Sequence, residues 1–509
     1  MDDYRNESLL VIKNGILTGI SDNASLTGSV VVPDSVTEIG KWAFFGCTGL
    51  TDIVIPTSVT KIGAWAFAMC AGLMLIEIPD CVTEIGEAAF SDCTGLTGIV
   101  IPTRVTKIGS WAFARCTGLT SIEISDGVSV IGAAAFFYCK NLINLTVDKA
   151  NPYYCSDHNI LYIKDKTILI DAAAGGLQGC ISIPDSVTEI GEWAFSDCSG
   201  LTGVVIPESV MGIGESAFSG CIGLTNIEIP ESVMEIGASA FSGCTGLTGV
   251  VIPESVTEIN KSVFSGCTGL ANVEIPENVT EIGESAFSGC TGLTGVIIPE
   301  SVTEISKSVF SGCTGLTNVE IPESVTEIGE SAFSDCTGLT SVTIPTGVTE
   351  IGWEAFCGCT GLTDIVIPDS VTQIGRYAFC GCTGLTGVAI PDGVTKIGES
   401  AFCGCTGLTG VVIPDGVTEI GWEVFSGCTG LTGIVIPESI TEIGYKAFCG
   451  CTGLTDIVIP ESVIEIGYRA FSGLNTDAHF TVKNESVKQE LLNSDSGIRD
   501  EQIAVESNL

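Results

Sequence analysis

A 23-residue period constrains this chain more than any other feature. Phe44, Phe67, Phe90, Phe113 and Phe136 keep that spacing, and the same step runs from Phe195 to Phe471, eighteen copies in all. A unit this short cannot bury its own apolar face, so copies must stack into a solenoid. Residues 247–269 give the unit in clear form, with Leu270 beginning the next. Leu247, Val250 and Ile252 alternate as an inward strand face does. Pro253, with no N–H to donate, ends that strand. Val256 and Ile259 predict a second short extended segment. Lys261 to Cys267 read as one helical turn that drops Val263 and Phe264 into the core, and Gly269 turns the chain back.

Leu247, Val250 and Ile252 also fit the L-x-x-L-x-L spacing of leucine-rich repeats. The expected class is therefore an α/β repeat solenoid. One strand row would line its concave face, short helical turns would lie opposite, and both ends would be capped. A solenoid grows without new cores, so 509 residues need not mean several globular domains.

Composition narrows the function classes. The apolar residues, 45% of the chain, come in short runs, none near the ~18 needed to span a bilayer. Against 61 acidic side chains stand 20 basic ones, a formal charge of −41. Such a surface repels nucleic acid and anionic lipid, so neither nucleic acid binding nor membrane insertion is expected. Met1 to Ser8 hold no basic segment followed by an apolar core. That predicts no signal peptide and, for the chain as written, a cytoplasmic residence.

Seventeen of the 24 cysteines share one position, three residues after the core Phe, from Cys47 to Cys451. Stacked coils bring such copies to about 5 Å, within disulfide reach. Side chains that all point inward favour a reduced ladder of small hydrophobes instead. Cys-Gly-Cys pairs at Cys357/Cys359, Cys380/Cys382, Cys403/Cys405 and Cys449/Cys451 offer one usable thiol each, so no metal site is expected. The row Glu254, Glu277, Glu300 and Glu323 lacks the alternating spacing of a calcium loop and reads as a solvated face.

Taken in order, residues 1–28 read as an N-terminal hairpin cap turning at Asn14-Gly15. Residues 29–140 are a first block of repeats, and 141–179 a variant 36-residue coil. In that coil Leu142, Leu145 and Val147 predict an unbroken strand ladder, and Ile160 to Ile170 a protruding hairpin. Residues 180–477 are a second block, and 478–509 a strand, helix and tail that cap the end.

The outward strand position, thirteen before each Phe, carries the candidate binding site. It alternates through Val205, Glu228, Val251, Glu274, Ile297 and Glu320, which keeps like charges apart. Later it becomes Thr343, Val366, Ala389, Val412, Val435 and Val458, without charge. Val366, Val412, Val435 and Val458, rimmed by Asp364 and Asp456, form a candidate apolar strip. Trp353 and Trp422, three residues before their Phe, are added to the candidate set.

The pattern L-x-x-[IV]-x-I-P-x-x-V-x-x-I-G-x-x-A-F-x-x-C, seen from Leu224 to Cys244, resembles the BspA-like leucine-rich repeats. The Asn151-Pro152-Tyr153-Tyr154 insertion and the Asn14-Gly15 cap are similar to that family too. The resemblance covers about residues 9–505. It implies a non-enzymatic binding role, often in adhesion at a microbial surface, which makes the cell surface or secretion the other expected location. His158 and His479 stand apart from any nucleophile arrangement, and no phosphate-binding or nucleophile-elbow motif occurs, so neither enzyme nor cofactor is expected. Two classes remain: a monomeric scaffold for a protein ligand, with adhesion or host interaction as the role the resemblance implies, and a structural array or surface antigen without one fixed ligand.

Overall fold

A computed structural model describes residues 6–506. Residues 1–5, within the leader reading and the first cap, and 507–509, within the last, lie outside the described residues. The chain resolves into two units, Met1–Leu247 and Thr248–Leu509, and each is a stack of 23-residue coils.

One coil of the second unit explains the rest. Gly249–Val251 forms a strand paired in parallel with Asn272–Glu274 of the next coil. Glu258–Ile259 pairs likewise with Glu281–Ile282 and makes a second row. Val250, Ile252, Val256, Ile259, Val263 and Phe264 are all buried between them.

The third side corrects the expected α/β class. Lys261 to Cys267 is not helical; it is a chain of turns with Ser262 and Gly266 in left-handed conformations, φ 56° and 72°. Those two reversals send alternate amides out of the coil. The N–H groups of Ser262, Phe264 and Gly266 donate to the carbonyls of Glu284, Ala286 and Ser288 one coil on, at 2.9, 2.9 and 2.7 Å. A helix would spend these donors within its own segment. Here the neighbouring coil offers a fixed row of acceptors, so bonding between coils wins. The solenoid is mostly β, and among the described residues the one α-helix is Glu485–Asn493 at its end.

The core is two ladders. Phe rings stack nearly parallel, for example Phe356 on Phe379 at 5.6 Å and 2°. Beside them the inward thiols of consecutive 23-residue coils donate to a Phe carbonyl of the preceding coil, as Cys313 Sγ does to Phe287 at 3.1 Å. The same carbonyl accepts the Cys290 N–H at 3.1 Å, so both its lone pairs are engaged. The ladder cysteines are thiols rather than disulfides. Burial pushes them up, Cys290 to about 12.

In the first unit, Leu10–Lys13 and Ile16–Ile20 form an antiparallel hairpin over Asn14 (φ 52°) and Gly15 (φ 77°), and its second strand pairs with Glu38–Ile39. In the second unit, His479–Val482 pairs with Asp456–Ile459 and with Ile503–Val505. Val487 and Leu491 of the helix are buried there, and Asn484 caps its first turn.

The coil at 141–179 departs from expectation twice. Asn144–Val147 ends a three-stranded sheet and is not paired with Gly179–Ser182, so that ladder is interrupted. The hairpin does not protrude either. Tyr154–Asp157, Ile160–Ile163 and Ile168–Ala172 form an antiparallel meander whose last strand continues the second row by pairing with Glu189–Ile190. Ile160, Leu161 and Tyr162 are buried in it. Polar side chains bridge the junction. The Tyr154 hydroxyl accepts the Ile131 N–H at 3.1 Å where a strand carbonyl would otherwise stand. Buried Asn151 donates to the carbonyls of Ser125 and Val128 and accepts the N–H groups of Tyr153 and Tyr154. Asp171, also buried, accepts from the backbone of Ala172 and Phe136, and its burial raises its pKa to about 7.

Candidate binding surface

The outward row of the second unit is built by parallel register. Thr343 sits opposite Val366, Val366 opposite Ala389, Ala389 opposite Val412, and Val412 opposite Val435. Inward neighbours Ile365, Val388, Val411 and Ile434 are buried, so the alternation of the strand forces the intervening side chains out. Val366, Val412 and Val435 are each more than 60% exposed, and Val458 is about half exposed. Earlier in the same unit Glu274 separates Val251 from Ile297, and Glu320 follows on the far side of Ile297.

The sequence reading missed the floor beside this ridge. Gly387, Gly410 and Gly433 occupy the first strand position where Asn272 and Asn318 stand in earlier coils. A Cβ at Gly387 or Gly433 would meet open space. Missing side chains there leave a groove of about 630 Å³, lined by the glycines, Ala389, Val412 and Val435, with Asp456 at one end. Threonines edge it rigidly: Thr386, Thr409 and Thr432 hydroxyls donate to the carbonyl of the threonine one coil before, at 3.0–3.3 Å. The signal was present as Thr-Gly-[Val/Ile] repeated in three consecutive coils. Reading it required knowing that the first strand position faces outward beside the third.

Asp364 and Asp456 are exposed on the flanking strands. Trp353 and Trp422 are exposed too, but they belong to the turn side and are absent from the groove lining. Arg376 lies over Trp353 at 5.8 Å, while Trp422 meets Tyr445 edge-on at 6.3 Å. The structure therefore does not bring the tryptophans to the valine strip.

The second row carries charge in both units. Glu304 and Glu442 are pushed above the usual carboxylate range, first by burial and then by stacked glutamates on either side. In the first unit Lys61 and Lys107 flank Glu84 at 3.0 and 3.2 Å and hold it low. Among the described residues, no group of three or more His, Cys, Asp or Glu side chains is arranged to hold a metal ion. Among them, too, no helix is long and apolar enough to cross a membrane.

A profile described as the BspA type leucine rich repeat region matches residues 21–143, 178–294, 257–386 and 372–496. No curated protein matches the chain. Among solved structures, a leucine-rich repeat protein from Eubacterium ventriosum is 24% identical, with 66% of this chain and 94% of that one covered and a TM-score of 0.52. Another from Bacteroides ovatus is 32% identical over 79% of this chain and 91% of that one, with a TM-score of 0.45. A leucine rich cell surface protein from Faecalibacterium prausnitzii is 32% identical over 61% and 86%, with a TM-score of 0.46. With stacked coils, a buried Phe ladder and a profile matching well over half its residues, the chain belongs to the BspA type leucine-rich repeat family.

Proposed function

We propose that this chain is a non-enzymatic scaffold that captures a protein ligand on the valine strip of its second unit, acting in adhesion or host interaction at a microbial surface. One observation carries the reading. Val366, Val412 and Val435 are exposed in register with Ala389, beside a glycine-floored groove, on a chain whose other strand rows carry charge. An uninterrupted apolar strip rimmed by polar groups suits a protein partner. The family supports the surface location and gives the expected cytoplasmic residence no support.

The test compares the intact chain with a Val366→Glu, Val412→Glu double variant, whose two carboxylates stay separated by Ala389, for binding to a panel of immobilised host matrix and serum proteins. Glutamate already occupies the equivalent position at Glu274 and Glu320, so folding is retained. Losing the burial of two valines removes about 3 kcal/mol or more, a drop of about a hundredfold in affinity. Unchanged binding to every protein the wild type captures refutes this site.

A further inference from the structure

The second unit holds a set of thiols outside the buried ladder. Position by position along the turn side stand Ser334, Cys357, Cys380, Cys403, Ser426, Cys449 and Ser472. Backbone bonds fix them as direct neighbours. Asp335 N–H donates to the Cys357 carbonyl, Gly358 to Cys380, Gly381 to Cys403, Gly404 to Ser426, Gly427 to Cys449 and Gly450 to Ser472, each at 2.7 Å. All four cysteines are half-buried, unlike Cys359, Cys382, Cys405 and Cys451, which are fully buried. Cys380 lies within thiol hydrogen-bonding reach of both Cys357 and Cys403. The Phe rings of these coils step by 5.6 and 5.3 Å. One such step falls inside the ~4.4–6.8 Å range of Cα separations that a disulfide spans, and two steps fall outside it.

We propose that Cys357, Cys380 and Cys403 form a reversible thiol–disulfide site, in which Cys380 bonds to one neighbour or the other when a peroxide supplies the oxidising equivalents. A thiolate of the trio attacks one peroxide oxygen, the O–O bond breaks, and hydroxide leaves as water after taking a proton. The sulfenic acid so formed is attacked by the adjacent thiolate; the S–S bond forms, the S–O bond breaks, and a second water departs. Two thiols lose two electrons and two protons, and the peroxide is reduced to two waters. The third thiol remains, placed to attack the new disulfide and move it along the row. The Cys380 thiol, by donating to Cys357, holds Cys357 below its ordinary value, which favours it as the first nucleophile. The inward ladder cannot compete, because its thiols are buried and donate to Phe carbonyls, as Cys382 does to Phe356.

Cys449 is a control within the same chain. It is half-buried on the same row, but serines stand on both sides of it. Full-length protein is treated with hydrogen peroxide, its remaining thiols are alkylated, and it is cut with trypsin. Cleavage at Arg376 and Lys396 separates the three cysteines. The expected product links the Cys380 peptide to that of Cys357 or Cys403, with fragmentation assigning the sulfur. Thiol titration then finds two fewer than the 24 of untreated protein, and dithiothreitol restores them. Cys449 stays outside any intramolecular disulfide. Cys380→Ser, a residue already tolerated at Ser334 and Ser426, removes both links and creates none between Cys357 and Cys403. Ser426→Cys extends the row and brings Cys449 into a disulfide. The proposal is overturned if the trio stays unlinked under a dose that oxidises Cys449, if Cys380→Ser still yields a Cys357–Cys403 bond, or if Ser426→Cys leaves Cys449 unpaired.

Discussion

Replacing Phe287 by alanine probes how a stack of coils shares its stability. Phe287 is fully buried and lies between Phe264 at 5.6 Å and Phe310 at 5.7 Å. Burying a Phe side chain removes about 150–250 Å² from water, worth about 4–6 kcal/mol at ~25 cal/mol per Å². That is an upper bound, because the unfolded chain already buries some of this surface. Measured Phe→Ala losses run about 3–5 kcal/mol. Collapse into the cavity is limited here, since Phe310 is held from its other side by Phe333 at 5.5 Å. The expected loss is about 4 kcal/mol. Native-state hydrogen exchange reads where it falls. The Phe287 and Gly289 amides, bonded to Val309 and Ser311 of the next coil, should lose nearly all of it. The Phe402 and Gly404 amides, five coils on, should change by less than about 0.5 kcal/mol, because each coil contacts only its neighbours. Equal loss at both places, or a local loss below about 1 kcal/mol, would refute this account.

Two predictions concern the junction in the first unit. Burial raises Asp171 to about 7 from its ordinary 3.8, so the folded state holds its proton more tightly than the unfolded one. Its contribution is intact below about pH 4, falls as pH rises, and is lost above about pH 7. Relative to wild type, Asp171→Asn should therefore gain roughly 3 kcal/mol between pH 5 and pH 8 in urea unfolding; parallel curves would show that Asp171 does not titrate in the folded protein. Asn151→Ala leaves four backbone groups, three of them buried, without their partner and should cost about 3–5 kcal/mol by the same assay. A cost below about 1 kcal/mol would mean water replaces those bonds.

The 23-residue period, the inward set of Leu, Val, Ile, Phe and Cys, and the proline that stops each strand were legible in the amino acids. They are local or strictly periodic, and stacking follows because the face they make cannot be buried within one coil. The uncharged row from Val366 to Val458 was legible for the same reason: periodicity tells which residues share a face. Other features depended on which way atoms point. Lys261 to Cys267 reads from its spacing as one helical turn, yet its amides bond to the next coil because that coil supplies a nearer row of acceptors. Ile160 to Ile170 looked like a hairpin in solvent, but three polar side chains, Asn151, Tyr154 and Asp171, fasten it into the second strand row. Trp353 and Trp422 share the exposure of the valines but not their side of the coil. Cysteine at a ladder position reads as a small hydrophobe until the acceptor for its thiol is located. Sequence thus determined which positions repeat and which must be buried. Tertiary structure decided where each hydrogen bond goes and which side chains meet, because those partners lie one coil away and no local propensity encodes their direction.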